Sequence, residues 1–172
     1  MAEAATQQTP TEALIATLDL PQGGWSDAAR KDALSRLQQA GLPERRDEYW
    51  KYTRPDTLTQ PQAVSAAVRA SEDVALFDQI DRLKLVFVDG VFDADASDDL
   101  ALEGITIERL AQADADLHWA RDLYGTLEKN GQTPVARPLA ALNTAFAADG
   151  VLIHVTDKVS KPVNIVYRRT SD

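Results

Sequence analysis

Four places in the chain carry side chains whose types and spacing could do chemistry. The first is the acidic loop from Asp89 to Asp99, with Asp93, Asp95, Ser97 and Asp98 between. With Asp93 at position one of a calcium loop, Asp95 and Ser97 fall on positions three and five. The glycine required at position six is then Asp98, the bidentate glutamate of position twelve is Gly104, and Glu103 stands one residue out of register. A fixed oxygen cage does not absorb that slip, so the carboxylates read as solvated turn formers. The second and third places are His118 and His154, the only two histidines. His118 has no histidine or glutamate four residues on, and His154 alternates with Val155 along a strand-like run. No G-x-S-x-G or phosphate-loop pattern supplies a nucleophile or an anion cradle, and Gly23-Gly24 is a loop break. Both histidines read as structural, no metal site is assigned, and no active site assembles.

The fourth place is Leu42 to Thr53, LPERRDEYWKYT, in a protein whose aromatics are only 6% of residues. Tyr49, Trp50 and Tyr52 stand among Arg45, Arg46, Glu48 and Lys51. Rings beside cations stack bases in single-strand binders, but Glu44, Asp47 and Glu48 interrupt the positive charge here. Two readings remain. One is a peg that ties a helical layer to the domain behind it, with the Arg45 and Lys51 stems laid over the rings. The other is a contact surface for a partner, made by Arg45, Glu48, Tyr49, Trp50, Lys51 and Tyr52. The helix stop before the segment and its mixed charges favour the peg.

The elements that must position these residues are legible in outline. Thr9-Pro10-Thr11-Glu12 has the order of a capping box, followed by the apolar face Leu14, Ile15 and Leu18 and a stop at Pro21 and Gly23-Gly24. A second helix starts at Ser26 or Asp27, buries Ala33, Leu34 and Leu37, and ends at Gly41 with Pro43 beyond. Glu44 to Tyr52 forms a further short helical turn. Leu83 to Val88 and Val91-Phe92 flank Asp89-Gly90, the signature of a type I′ hairpin. Gly104 to Ile107 reads as a strand. Asp114 or Asp116 caps a helix through Leu117, Trp119, Leu123, Tyr124 and Leu127, which ends near Asn130-Gly131. Pro138 to Ala147 is a helix with Leu139, Leu142 and Phe146 on one side, stopped by Gly150. Val151 to Val155 and Val163 to Tyr167 are two strands around the polar turn Thr156 to Pro162. A strand pair with little to cover it is a poor end for a domain, so the C-terminus reads as a cut, and its exposed strands as an edge for self-association. No repeat of about 20 to 50 residues is visible.

Composition sets the outer bounds. The 172 residues suffice for one domain, or one and part of a second. Hydrophobic residues at 44% and charged residues at 26% are those of a globular protein. A net charge of −9 argues against nucleic acid or an anionic membrane as partner. The N-terminus has neither the basic region nor the apolar core of a secretory signal, and no run reaches the roughly 20 apolar residues of a membrane span; the expectation is a cytoplasmic protein. The absence of cysteine excludes disulfides, thiolate metal sites and cysteine-ligated clusters within these residues.

Taken in order, LPERRDEYWKYT, LKLVFVDGVFDADAS, ALNTAFAADGVLIHV and KPVNIVYR resemble the N-terminal part of the SufD-like members of the SufB/SufD family, the scaffold proteins of SUF-type iron–sulfur cluster assembly. The blocks run over residues 42 to 169. The resemblance implies a non-enzymatic scaffold subunit working with a SufB-like subunit and the SufC-like ATPase. It implies a part in iron supply, and a cluster or iron held only at the level of the complex. It also implies an α+β fold: N-terminal helices with a small mixed sheet and hairpin over residues 1–135, leading over 136–172 into the first strands of a right-handed parallel β-helix. The surface that pairs with SufB and the region that binds SufC would lie outside this chain, so no family site residue transfers onto it. A free-standing interaction module built on Trp50 is the competing reading.

Overall fold

A computed structural model of the chain describes residues 8–60, 77–113, 118–129 and 135–169. It divides into two compact units, each made from two stretches of chain: residues 1–64 with 114–147, and 65–113 with 148–172. The helix expected beyond residue 136 therefore belongs with the N-terminal helices.

The first unit is helical. Helix α1 (Pro10–Ile15) opens on the expected capping box: Thr9 Oγ1 accepts from the Glu12 amide at 3.2 Å and the Glu12 carboxylate accepts from the Thr9 amide at 2.7 Å. Those bonds from Thr9 hold the Glu12 carboxyl below its usual range. Leu14 is buried, but Leu18 lies past the helix end and is exposed, a correction to the expected apolar face. Helix α2 (Asp27–Ala40) buries Arg30, Ala33 and Leu37 and ends at Gly41, while Leu34 is only half-buried. The third helix, α3 (Pro138–Phe146), packs on α2. Its inner face differs from the expected one: Pro138, Ala141, Thr144 and Ala145 are buried, whereas Leu139, Leu142 and Phe146 are only partly so. Small side chains at the contact let two helices approach closely, and the larger apolar residues fill the flanks.

The helix expected through Trp119 and Leu127 is also corrected. Trp119–Asp122 is a 3₁₀ turn capped by His118, and turns follow it to Lys129. Gly125 at φ +70° interrupts any continuous helix there. The proposed caps Asp114 and Asp116, and the stop at Asn130-Gly131, lie outside the described residues.

Two small sheets make the second unit. Strands β1 (Leu83–Val88) and β2 (Val91–Asp93) form the expected hairpin, with positive φ at both Asp89 (50°) and Gly90 (85°) as a type I′ turn demands. Strands β3 (Ile105–Arg109) and β4 (Val151–Val155) pair antiparallel, from Ile105 opposite Val155 to Arg109 opposite Val151. Strand β5 (Val163–Arg168) lies parallel to β1, in register from Leu83 opposite Val163 to Val88 opposite Arg168. The last two strands thus do not pair with each other. The turn between them crosses from one sheet to the other, and each strand is hydrogen-bonded within its own chain. Leu83, Leu85, Ile105 and Ile107 form the core between the sheets, flanked by Val151, Ile153, Val163 and Ile165. The architecture is α+β, with a three-stranded mixed sheet and a two-stranded one. Among the described residues no helix is long and apolar enough to cross a membrane.

Candidate interaction surface

The acidic loop is occupied with backbone work. Strand β2 stops at Asp93, yet the amides of Lys84 and Val86 still face that edge of β1. Val86 N–H donates to Ser97 Oγ at 2.9 Å and Lys84 N–H to Asp98 Oδ2 at 2.7 Å, while the Asp98 amide returns a bond to the Lys84 carbonyl at 2.8 Å. Asp93 Oδ1 accepts from the Ala96 amide at 3.0 Å, and Asp99 Oδ1 from that of Ala101 at 3.1 Å. Side chains here replace a missing strand, which meets the obligation to pair backbone groups. Among the described residues no group of three or more His, Asp or Glu side chains is placed to hold a metal ion.

Of the two histidines, His154 sits exposed on β4 opposite Thr106. His118 is part of an aromatic latch that the sequence did not announce. Its ring stacks on Trp25 at 4.7 Å and 18°, and Trp25, only 5% exposed, meets Tyr124 edge-on at 5.5 Å. His118 Nδ1 accepts from the Ala120 amide at 3.1 Å, which fixes that nitrogen as the acceptor. Arg30 lies over the Tyr124 ring at 5.4 Å. It donates through Nε to Ser26 Oγ at 3.1 Å and through Nη1 to the Ala145 carbonyl at 3.0 Å. Tyr124 donates its hydroxyl to the Thr144 carbonyl at 2.8 Å, and burial raises its pKa. On the same side, Glu128 pairs with Arg36 and accepts from Thr144 Oγ1 at 3.1 Å. Asp32, held below its usual range by Lys129 and Arg36, bridges those two cations. The aromatic peg of this unit is therefore Trp25 with Tyr124 and His118. The signal available in the sequence was the pair Trp25 and Arg30 around the start of α2, but their aromatic partners His118 and Tyr124 stand about 90 residues or more away in sequence, where no periodicity links them.

The segment Leu42–Thr53 is placed differently from a peg. Gly41 ends α2, Pro43 is buried, and the Asp47 carboxylate accepts from the Glu44 amide at 2.9 Å to start a turn. Glu48–Trp50 is one 3₁₀ turn that buries no residue. Tyr49 is 70% and Tyr52 92% exposed, with Lys51 Nζ over the Tyr52 ring at 5.4 Å. Arg45, Glu48 and Lys51 are exposed as well, and Trp50 alone is half-buried. Tyr49 and Trp50 form one wall of an apolar groove of about 350 Å³ whose other wall is the chain from Val135 to Ala140. Rings and cations are thus presented outward beside a groove.

In the second unit the polar centre is Asp149. Burial opposes its ionisation, but Arg109 and the amides of Gly150 (2.8 Å) and Ala111 (3.2 Å) outweigh that and hold the carboxyl below its usual range. Arg109 pairs with it through Nε at 3.0 Å and also covers the Phe92 ring at 4.7 Å.

The described chain thus comprises a helical unit, a small mixed-sheet unit and an outward-facing aromatic segment. The chain belongs to the SufBD family: residues 22–165 match the SufBD protein N-terminal region. It is similar to the iron-sulfur cluster assembly protein SufD of Escherichia coli (strain K12), 32% identical over 154 residues that cover 79% of this chain and 33% of that protein. The chain thus spans about a third of the length of that relative.

Proposed function

We propose that this chain serves iron–sulfur cluster assembly as a SufD-like scaffold subunit, acting with a SufB-like subunit and the SufC-like ATPase in the cytoplasm. The observation that carries the reading is the family match across residues 22–165 together with the similarity to a cluster assembly protein. The cluster, or iron on its way to one, is cargo of the complex. The 172 residues contain no cysteine, so they contribute no thiolate to it, and the chain works without a catalytic site of its own. Strands β4 and β5 are read as the opening of a right-handed parallel β-helix in a protein as long as that relative; for β5 the parallel pairing with β1 supports this, while β4 pairs antiparallel with β3. Self-association through β5 is the competing use of its outer edge. Gentle lysis of cells carrying the tagged protein is expected to recover SufB-like and SufC-like subunits in fixed ratio. A clean monomer would count decisively against the proposal, and a homodimer would favour the edge-to-edge use.

A second reading, a contact module using the Trp50 segment, is favoured by one observation: Tyr49 and Tyr52 are largely exposed on a turn that buries nothing. The two readings are compatible, since a scaffold subunit works through its contacts.

A further inference from the structure

The groove beside Trp50 has a chemistry that selects its occupant. Its walls are the Tyr49 and Trp50 rings on one side and Val135, Pro138 and Leu139 on the other, with Arg137 among them. Arg137 is exposed, as are Arg45, Arg46, Lys51 and Arg54 of the adjoining segment. None of these five cations makes an ion pair among the described residues, as is also true of Lys84, Arg121, Lys158, Arg168 and Arg169. Glu44, Asp47 and Glu48 share the segment, but Asp47 is turned onto the Glu44 amide, and the cations outnumber them. In a chain with a net charge of −9, Arg137 lines the groove itself and Lys51 follows Trp50 directly, whereas Arg45 and Arg54 line a separate pocket with Pro10 and Thr11. Trp, Tyr and Arg together are the composition that dominates binding energy at protein contacts.

We propose that this groove docks an acidic peptide segment of a partner protein. One large apolar side chain of that segment sits between Trp50 and Pro138, and flanking carboxylates meet Arg137 and Lys51. The inference rests on the contact reading of the Trp50 segment and adds the chemistry of the partner. A peptide is favoured over nucleic acid on electrostatic range. Charges are screened beyond about 8 Å at physiological salt, so a short acidic segment feels the local cations, while a long polyanion meets the acidic remainder of the chain.

The test is selection of a random peptide library of about twelve residues, displayed on phage, against the intact chain. Expected are clones that carry several Asp or Glu around one Trp, Phe or Leu. The synthetic peptide of the best clone should bind Trp50→Ala and Arg137→Glu at least roughly tenfold more weakly than the parent. Its affinity should also fall as salt rises from about 50 to about 500 mM. Tyr49→Ala serves as a second groove variant should Trp50→Ala fail to fold, and circular dichroism checks each. Clones that depend on Trp50 or Tyr49 but are basic or uncharged would overturn the acidic partner and leave the contact reading standing. No enriched clone, or clones that bind the folded groove variants undiminished, would end both.

Discussion

Arg30 Nη1 donates to the Ala145 carbonyl at 3.0 Å, joining the first full turn of one helix to the last turn of another. The last carbonyls of any helix lack partners within it and carry the negative end of its dipole. Helix α3 has no basic residue in its own last turn. Arg30 supplies the cation from α2, and Tyr124 takes the neighbouring Thr144 carbonyl. A buried guanidinium is costly unless its donors are met. Here Ser26, the Ala145 carbonyl and the Tyr124 ring meet it.

Replacing Arg30 with methionine keeps much of the stem volume and leaves the Ala145 carbonyl buried without its donor. Stability should fall by about 2 kcal/mol, read as a lower urea midpoint at unchanged slope. A change under about 0.5 kcal/mol, within the range of ordinary surface substitutions, would show that the carbonyl finds another donor and that Arg30 is dispensable.

Gly125 carries φ +70°, and a Cβ there would stand 2.8 Å from Thr144 Cγ2. Gly125→Ala therefore incurs both backbone strain and a clash, together costing about 1 to 3 kcal/mol. Thr144→Ser removes the methyl and keeps the hydroxyl that Glu128 accepts from. In the double variant part of the loss should be recovered, and a cycle showing plain additivity would exclude the clash.

Trp25→Ala and Trp50→Ala should behave oppositely. Trp25 is 5% exposed and stacked on His118, so its truncation should cost about 3 to 5 kcal/mol and melt the helical unit. Trp50→Ala should leave far-UV circular dichroism unchanged and lower the melting temperature by only a few degrees, about what 1 kcal/mol does in a domain of this size. Unfolding of the Trp50 variant would restore the peg.

Asp149 has a folded-state pKa lowered below that of the unfolded chain, so the unfolded state binds the proton first. Its contribution is complete above the ordinary aspartate value of about 4. It is lost as pH falls from there through the lower, folded value. Asp149→Asn should thus lower stability near neutrality and flatten the acid limb of the stability–pH curve. An unchanged acid limb would place the acid sensitivity on other carboxylates.

Asp98→Ala removes the acceptor of the Lys84 amide and should cost about 1 to 2 kcal/mol, whereas Asp98→Asn, which keeps an acceptor oxygen, should cost less. Calorimetric titration of the parent with calcium should release no heat beyond dilution. A saturable signal abolished by Asp98→Asn would instead restore a cation site in this loop.

Much of the fold was legible because it rests on local chemistry. Thr9 with Glu12 marks a helix start, Gly41 a helix end, and Asp89-Gly90 a hairpin, since each pattern satisfies or bends a few neighbouring backbone groups. The same reasoning failed wherever distant segments compete for one surface. The inner face of α3 is small because α2 lies close, and the segment after His118 is turned because Gly125 abuts Thr144. The candidate site was legible as a composition of rings and cations, but its role was not. Whether Trp50 is a peg or a grip depends on what the chain from residue 135 onward does beside it.

By itself, the sequence determined the strand and helix segments of the described chain in outline apart from the turns after His118, the absence of thiolate chemistry, and the ordered blocks that carry the family resemblance. Only the tertiary structure decided which aromatic is buried, that β5 pairs with β1 and β4 with β3, and that the acidic loop serves the edge of β1. The physical reason is range. Caps and tight turns are decided by groups a few residues apart, whereas burial and strand pairing are decided by which distant surfaces exclude water together.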